Sequence, residues 1–177
     1  HPEKGWATTA HIPALRQLPQ FCLSAFSHHQ RDTAKAAAEL HGASRYFDSA
    51  QELIHHPDVD LVVVAVKVTR HKEIVLSALQ AGKAVLCERP LAMNLLDAVE
   101  MRDCARAMRV TTAVGLQTRA TPVFAFLRGL VGEGYVGDVL SVSMIGSGIV
   151  WGATLPESFI YTLDRASGAA MHNVAFA

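Results

Sequence analysis

Cysteine is scarce in this 177-residue chain, and an excess of either charge is missing altogether. Cys22, Cys87 and Cys104 are odd in number, far apart and set in apolar stretches. That pattern fits reduced core thiols in a cytoplasmic protein and argues against a disulfide framework or a cysteine metal site. Lys plus Arg and Asp plus Glu both total 16, so no net field steers the protein onto nucleic acid. No run approaches the ~18 apolar residues of a membrane-spanning helix. No signal peptide is legible at His1, although a chain that does not begin with Met can have lost one. Internal repeats and low-complexity linkers are also missing. With 50% hydrophobic and 18% charged residues, disorder is excluded. The length supports one domain, or one domain and part of another.

The most informative stretch runs from Asp60 to Leu91. Leu61 to Val66 is an unbroken apolar run with four valines, the pattern of a parallel-sheet strand covered on both faces. From Thr69 the period becomes helical, with Ile74, Val75, Ala78 and Leu79 on one stripe and Gly82 at the stop. Ala84 to Cys87 is a second short strand, ending in Glu88-Arg89-Pro90. Strand, helix, strand makes one right-handed βαβ crossover. Ligands of such sheets gather at the carboxyl ends of the strands, which places Lys67-Val68 and Glu88-Arg89 at a crevice.

The flanking elements extend the pattern. Trp6 to Leu18 reads as a helix that Pro13 bends or delays. Phe21 to Phe26 and Arg45 to Phe47 are strand candidates, separated by an alanine-rich helix from Asp32 to His41. Ala50 to His55 is a short helix with Leu53 and Ile54 inward. Asn94 can cap a helix whose expected buried stripe is Leu95, Ala98, Met101, Ala105 and Met108. Val110 to Leu116 is a further strand. Pro122 opens a helix whose stripe is Val123, Phe126, Leu127, Leu130 and Val131. From Val139, alternation suggests an antiparallel strand with one wet face. Residues 1–137 are therefore expected to form an α/β, Rossmann-type doubly wound parallel sheet lacking its first strand. Residues 138–177 are expected to open an α+β domain.

Four landmarks, GWATTAHIPAL, DLVVVAVKVTRHKEIVLSALQAGKAVLCERPLA, VGLQTR and GYVGDVLSV, follow one another in the order found in the Gfo/Idh/MocA family of nicotinamide-dependent oxidoreductases, which the chain resembles. Val-Lys-Val in place of the usual Thr-Pro leans toward the branch containing the galactose-pathway repressor. The resemblance implies NAD(P) as cofactor, a small sugar, cyclitol or related polyol as substrate, and self-association through the second domain. A catalytically silent, dinucleotide-binding regulator is the alternative.

The resemblance also implies site residues. Gly5 and Trp6 begin the helix that would face the pyrophosphate, the rest of the glycine turn being expected upstream; an ordinary loop-to-helix junction is the plain alternative. Ser27, His28 and Arg31 follow the second family strand without an early carboxylate, which favours NADP over NAD; a solvated turn would look the same. Val66, Lys67, Val68 and His71 follow the next strand. Glu88 is expected near the cofactor ribose. Arg89 stands where the family carries lysine, and a guanidinium can orient a substrate or stabilise an alkoxide but cannot act as a base. Gln117 and Arg119 would face the same crevice, or form a polar turn. His172 falls near the family's second-domain acid–base pair. Adjacent histidines (His28-His29 and His55-His56) point in different directions, so no metal is expected.

Overall fold

The computed structural model describes residues 5–143. After Gly5, a single π-helical turn, Ala7–His11, leads into the short helix α1, Ile12–Leu15, with Pro13 in its first turn. Pro13 thus delays the α-helix, as its missing N–H dictates. Strand β1 is Ala25–Ser27, shorter than the Phe21 to Phe26 expected; Phe21 and Cys22 before it are exposed, so Cys22 is not a core thiol. Helix α2, Arg31–His41, buries Ala34, Ala37 and Ala38 and stops at Gly42 in the left-handed region. Strand β2 is Arg45–Phe47. Helix α3, Ala50–His55, is capped by Ser49.

The crossover lies where the periodicity puts it. Strand β3 is Leu61–Val64, helix α4 is His71–Gln80, and strand β4 is Ala84–Glu88, parallel to β3. Helix α5, Leu95–Met108, and strand β5, Thr112–Gly115, repeat the unit, and β5 is parallel to β4. Helix α6 is Pro122–Gly132. Two sheets result, β1-β2 and β3-β4-β5. Helix α3 touches β1, β2 and helix α4, and Ile54 from it joins the core while Ala25 of β1 packs against that core.

The core is one-sided. Val62 and Val64 sit in register with Val85 and Cys87, and all four are buried with Ile74, Val75, Ala78 and Leu79 of α4 and Met101 of α5. Leu61 and Val63 are only half-buried, so β3 is not covered equally on both faces as its unbroken apolar run suggests. Two stripes are also corrected. In α5, Met101 is buried, but Leu95 is 76% exposed and Met108 is exposed. In α6, Val123, Phe126, Leu127 and Val131 are exposed and no residue is buried. Periodicity identifies an apolar face but not whether anything covers it. Val139 to Ser143 forms no strand; the remainder of that expected strand and the Gly168 to Ala177 segment with His172 lie outside the described residues.

Surface links hold α5 against α4. Lys72 Nζ lies 2.6 Å from Asp97 and 2.7 Å from Glu100. The hydrogen bond from Lys72 lowers the Asp97 pKa, and Asn94 contributes in the same direction. Asn94 Oδ1 accepts from the Asp97 N–H at 2.9 Å, while Asn94 Nδ2 donates to the Asp97 carboxylate at 2.7 Å. This reciprocal cap satisfies an otherwise orphaned helix N–H. Asn94→Ala should cost about 1 kcal/mol in urea denaturation; an unchanged midpoint would mean that the cap contributes nothing.

Candidate functional site

The carboxyl ends of β3, β4 and β5 form one rim because the three strands are parallel and in register. The β3–β4 ladder ends at Val64 opposite Cys87, and the β4–β5 ladder continues one pair further, to Glu88 opposite Gly115. Glu88 is 8% exposed. A Cβ on Gly115 would stand 2.6 Å from Glu88 Oε1 and 2.7 Å from its Cδ, so only glycine leaves room for the carboxylate there. Gln117 Nε2 donates to both Glu88 oxygens at 2.9 Å. His11, from the end of the π-turn, brings Nε2 to 2.8 Å from Glu88 Oε1, without the alignment of a hydrogen bond. Two atoms around this carboxylate are buried without a hydrogen-bond partner, His11 Nε2 and Gln117 Oε1. Buried polar atoms are paired in the great majority of cases, and since His11 Nε2 already contacts Glu88, it is Gln117 Oε1 that marks a place for a ligand or water.

The loop after β3 holds Val66 and Lys67 exposed and Val68 buried, before a 3-10 turn, Val68–Arg70. The Arg89–Pro90 peptide after β4 is cis. His71, expected among the cofactor contacts, is instead 1% exposed, with its ring among backbone carbonyls. Cys87 beneath the rim has its thiol pushed up to about 12 by burial, with the Glu88 charge adding to the effect. It stays protonated at neutral pH and is no nucleophile.

At the ends of β1 and β2, the His28 N–H donates to Phe47 O and extends the pairing by one bond. The His28 and His29 rings lie 4.2 Å apart. Burial, then the neighbouring His29, lowers the His28 pKa below 6.5. Arg31 donates to Asp48 at 3.3 Å and stacks over Tyr46 with its carbon 5.2 Å from the ring centre. Ser27 and Arg31 are exposed, as are Gly5, Trp6 and Arg119; Gly5 has a φ of +118°, a region that disfavours any side chain. Of the expected site residues, the structure thus brings Glu88 and Gln117 into direct contact and groups Ser27, His28 and Arg31 at a second strand end. It adds two that were not singled out, His11 and Gly115. Both lie within the quoted landmarks, but neither residue type declares a role without the Glu88 carboxylate beside it.

A sequence profile described as the oxidoreductase family with an NAD-binding Rossmann fold, GFO_IDH_MocA, matches residues 4–116. The chain belongs to the Gfo/Idh/MocA oxidoreductase family. A second profile, the Gal80p C-terminal domain, matches residues 122–177. Relatives within the family include dehydrogenase aclE of Aspergillus oryzae, 38% identical over 125 residues that make up 70% of this chain and 34% of that protein. The trans-1,2-dihydrobenzene-1,2-diol dehydrogenase of Xenopus laevis is 35% identical over 130 residues, 72% of this chain and 39% of the enzyme. The galactose/lactose metabolism regulatory protein GAL80 of Saccharomyces cerevisiae is 29% identical over 175 residues, 92% of this chain and 40% of that protein. Among solved structures, levoglucosan dehydrogenase in complex with NADH and levoglucosan aligns with a TM-score of 0.69 at 26% identity, over 75% of this chain and 38% of that one. The chain therefore spans between a third and two fifths of the length of these relatives.

Gly115→Ala tests the packing of the rim. The added methyl must displace the Glu88 carboxylate or shift β5, and overpacking of this kind costs about 1–3 kcal/mol. Chemical denaturation should show that loss, and a variant as stable as the parent would mean that Glu88 is free to move aside.

Proposed function

We propose that the protein is an NAD(P)-dependent oxidoreductase moving hydride between a nicotinamide and a carbinol carbon of a sugar, cyclitol or related polyol. In this reading residues 1–137 are the dinucleotide-binding domain and 138–177 open the substrate and dimerisation domain; the Gal80p C-terminal profile supports a second domain at this end of the chain, although its match already begins at residue 122. The observation that carries the reading is the Glu88 carboxylate buried at the strand-end rim beside Gln117 Oε1, a buried acceptor without a hydrogen-bond partner. A ribose or carboxamide offers the hydroxyl and N–H donors that Glu88 and Gln117 Oε1 would accept. The residues present fit a nicotinamide dinucleotide.

The bound cofactor supplies the hydride carrier; the chain's own residues bind and orient. Glu88 and Gln117 hold hydroxyls, and Lys67 places a cation at the neighbouring strand end. Arg89 keeps its proton, so it orients substrate or stabilises a developing alkoxide and does not abstract a proton. Proton transfer then falls to the second domain, where His172 is this chain's candidate. NADP is favoured over NAD. The exposed Arg31–Asp48 pair is weakly held in water, which leaves the guanidinium able to turn to a 2′-phosphate through charge-assisted bonds.

A second reading, a dinucleotide-binding regulator without turnover, draws on Arg89 and on the regulatory relative that aligns over 92% of the chain. One experiment separates them. The full-length protein is titrated with NADPH and NADH by fluorescence and assayed against a polyol panel at the reduced-nicotinamide absorbance. The enzyme reading expects binding with turnover, weakened by Glu88→Ala about 10-fold or more through lost charge-assisted bonds. It also expects Arg31→Ala to weaken NADPH more than NADH. Binding without turnover on any polyol favours the regulator, and no binding of either dinucleotide defeats both readings.

A further inference from the structure

Among the described residues, the buried polar or charged side chains are Glu88 and His71. Glu88 has a place in the site. His71 has none, because its ring is almost sealed from solvent. It sits at the first position of α4, directly after the 3-10 turn that leaves β3. Its Nε2 lies 3.0 Å from Val66 O, in the loop after β3. Its Nδ1 lies 3.0 Å from Pro90 O and 3.3 Å from Leu91 O, in the loop after β4, and 3.3 Å from Cys87 Sγ.

These contacts begin where backbone pairing stops. The β3–β4 ladder makes its last rung at Val64 and Cys87, after which the two chains diverge. Without another bond, Val66 O and Pro90 O would face each other across a gap as unpaired acceptors, at the cost of lost buried hydrogen bonds. The imidazole spans that gap. A neutral ring donates from one nitrogen, and only a ring protonated on both donates to both loops. In the neutral ring the second nitrogen only packs against the other loop, with the Cys87 thiol as a neighbour of Nδ1 at 3.3 Å. The rigid ring still fills the space between the segment bearing Lys67 and the segment bearing Arg89.

We propose that His71 is a positioning residue, a side-chain rung that fixes the post-β3 loop against the post-β4 loop and so sets the spacing of Lys67 and Arg89 across the crevice. This rests on the reading of that crevice as a dinucleotide site, where displacement of a binding group by ~1 Å lowers function steeply. Its effect reaches ligand through Lys67 and Arg89, since the ring itself is closed off.

The test is amide hydrogen exchange on the ligand-free full-length protein, together with dinucleotide titration. His71→Phe keeps a ring of similar size and removes both nitrogens. Exchange should rise together in residues 66–70 and 89–92, with little change in the interior of α4 and in β3. Dinucleotide affinity should fall about tenfold, and kcat at saturating cofactor should fall less than affinity. His71→Gln, which retains an amide donor, should show the same paired loosening to a smaller extent, and it serves as the test if the phenylalanine variant does not fold. Loosening of one loop alone, uniform loosening of the whole domain, or unchanged exchange in both loops would overturn the proposal, as would unaltered dinucleotide affinity in a variant whose loops have loosened. If the parent protein binds no dinucleotide, the functional reading fails, while the exchange pattern still decides whether His71 joins the loops.

Discussion

A carboxylate that is 8% exposed must be answered by its surroundings, and much of the rim follows from how Glu88 is answered. Removing a charge from water costs several kcal/mol unless hydrogen bonds replace the lost solvation. Gln117 supplies two such bonds, His11 brings an imidazole nitrogen alongside, and Gly115 yields the volume. Each of these comes from a different element. The carboxylate therefore fixes β4 against β5 and draws the first helical segment over the strand ends. What it leaves unsatisfied, Gln117 Oε1, is the capacity for a ligand.

The strand ends are built twice over. Between β4 and β5 the ladder runs one pair beyond the β3–β4 ladder, and the Glu88–Gln117 contact takes over from there. Between β3 and β4 the ladder stops earlier, and the His71 ring spans the gap. Buried polarity in the described part of the chain is thus concentrated where backbone pairing gives out, and both buried groups serve the same edge. The apolar core below carries no such specificity. Val62, Val64, Val85, Leu79 and Met101 would tolerate volume-conserving exchanges that the rim would not.

How much of this was legible in the sequence depends on the range of the interaction. The crossover reads directly, because the valine run, the Ile74 to Leu79 stripe and the short strand before Glu88 each encode local structure. Pro13 and Asn94 act within a turn and read equally well. The stripes of α5 and α6 mislead at Leu95, Met108, Val123 and Phe126, since an apolar face is a local property and its cover is not. His71 reads as a polar residue near a strand end, hence as a ligand contact, and only the fold shows that its ring turns inward to carbonyls. His11 and Gly115 are silent in sequence for the same reason: their roles are defined by a carboxylate that is distant along the chain or across a strand.

The central claim is that Glu88 and Gln117 act as one unit in forming the dinucleotide crevice. A double-mutant cycle on dinucleotide affinity in the full-length protein, using Glu88→Gln, Gln117→Leu and the pair, measures that directly. The account predicts a coupling of about 1–2 kcal/mol, the double variant being little worse than the poorer single one. Additive losses, with coupling within about 0.3 kcal/mol of zero, would contradict it.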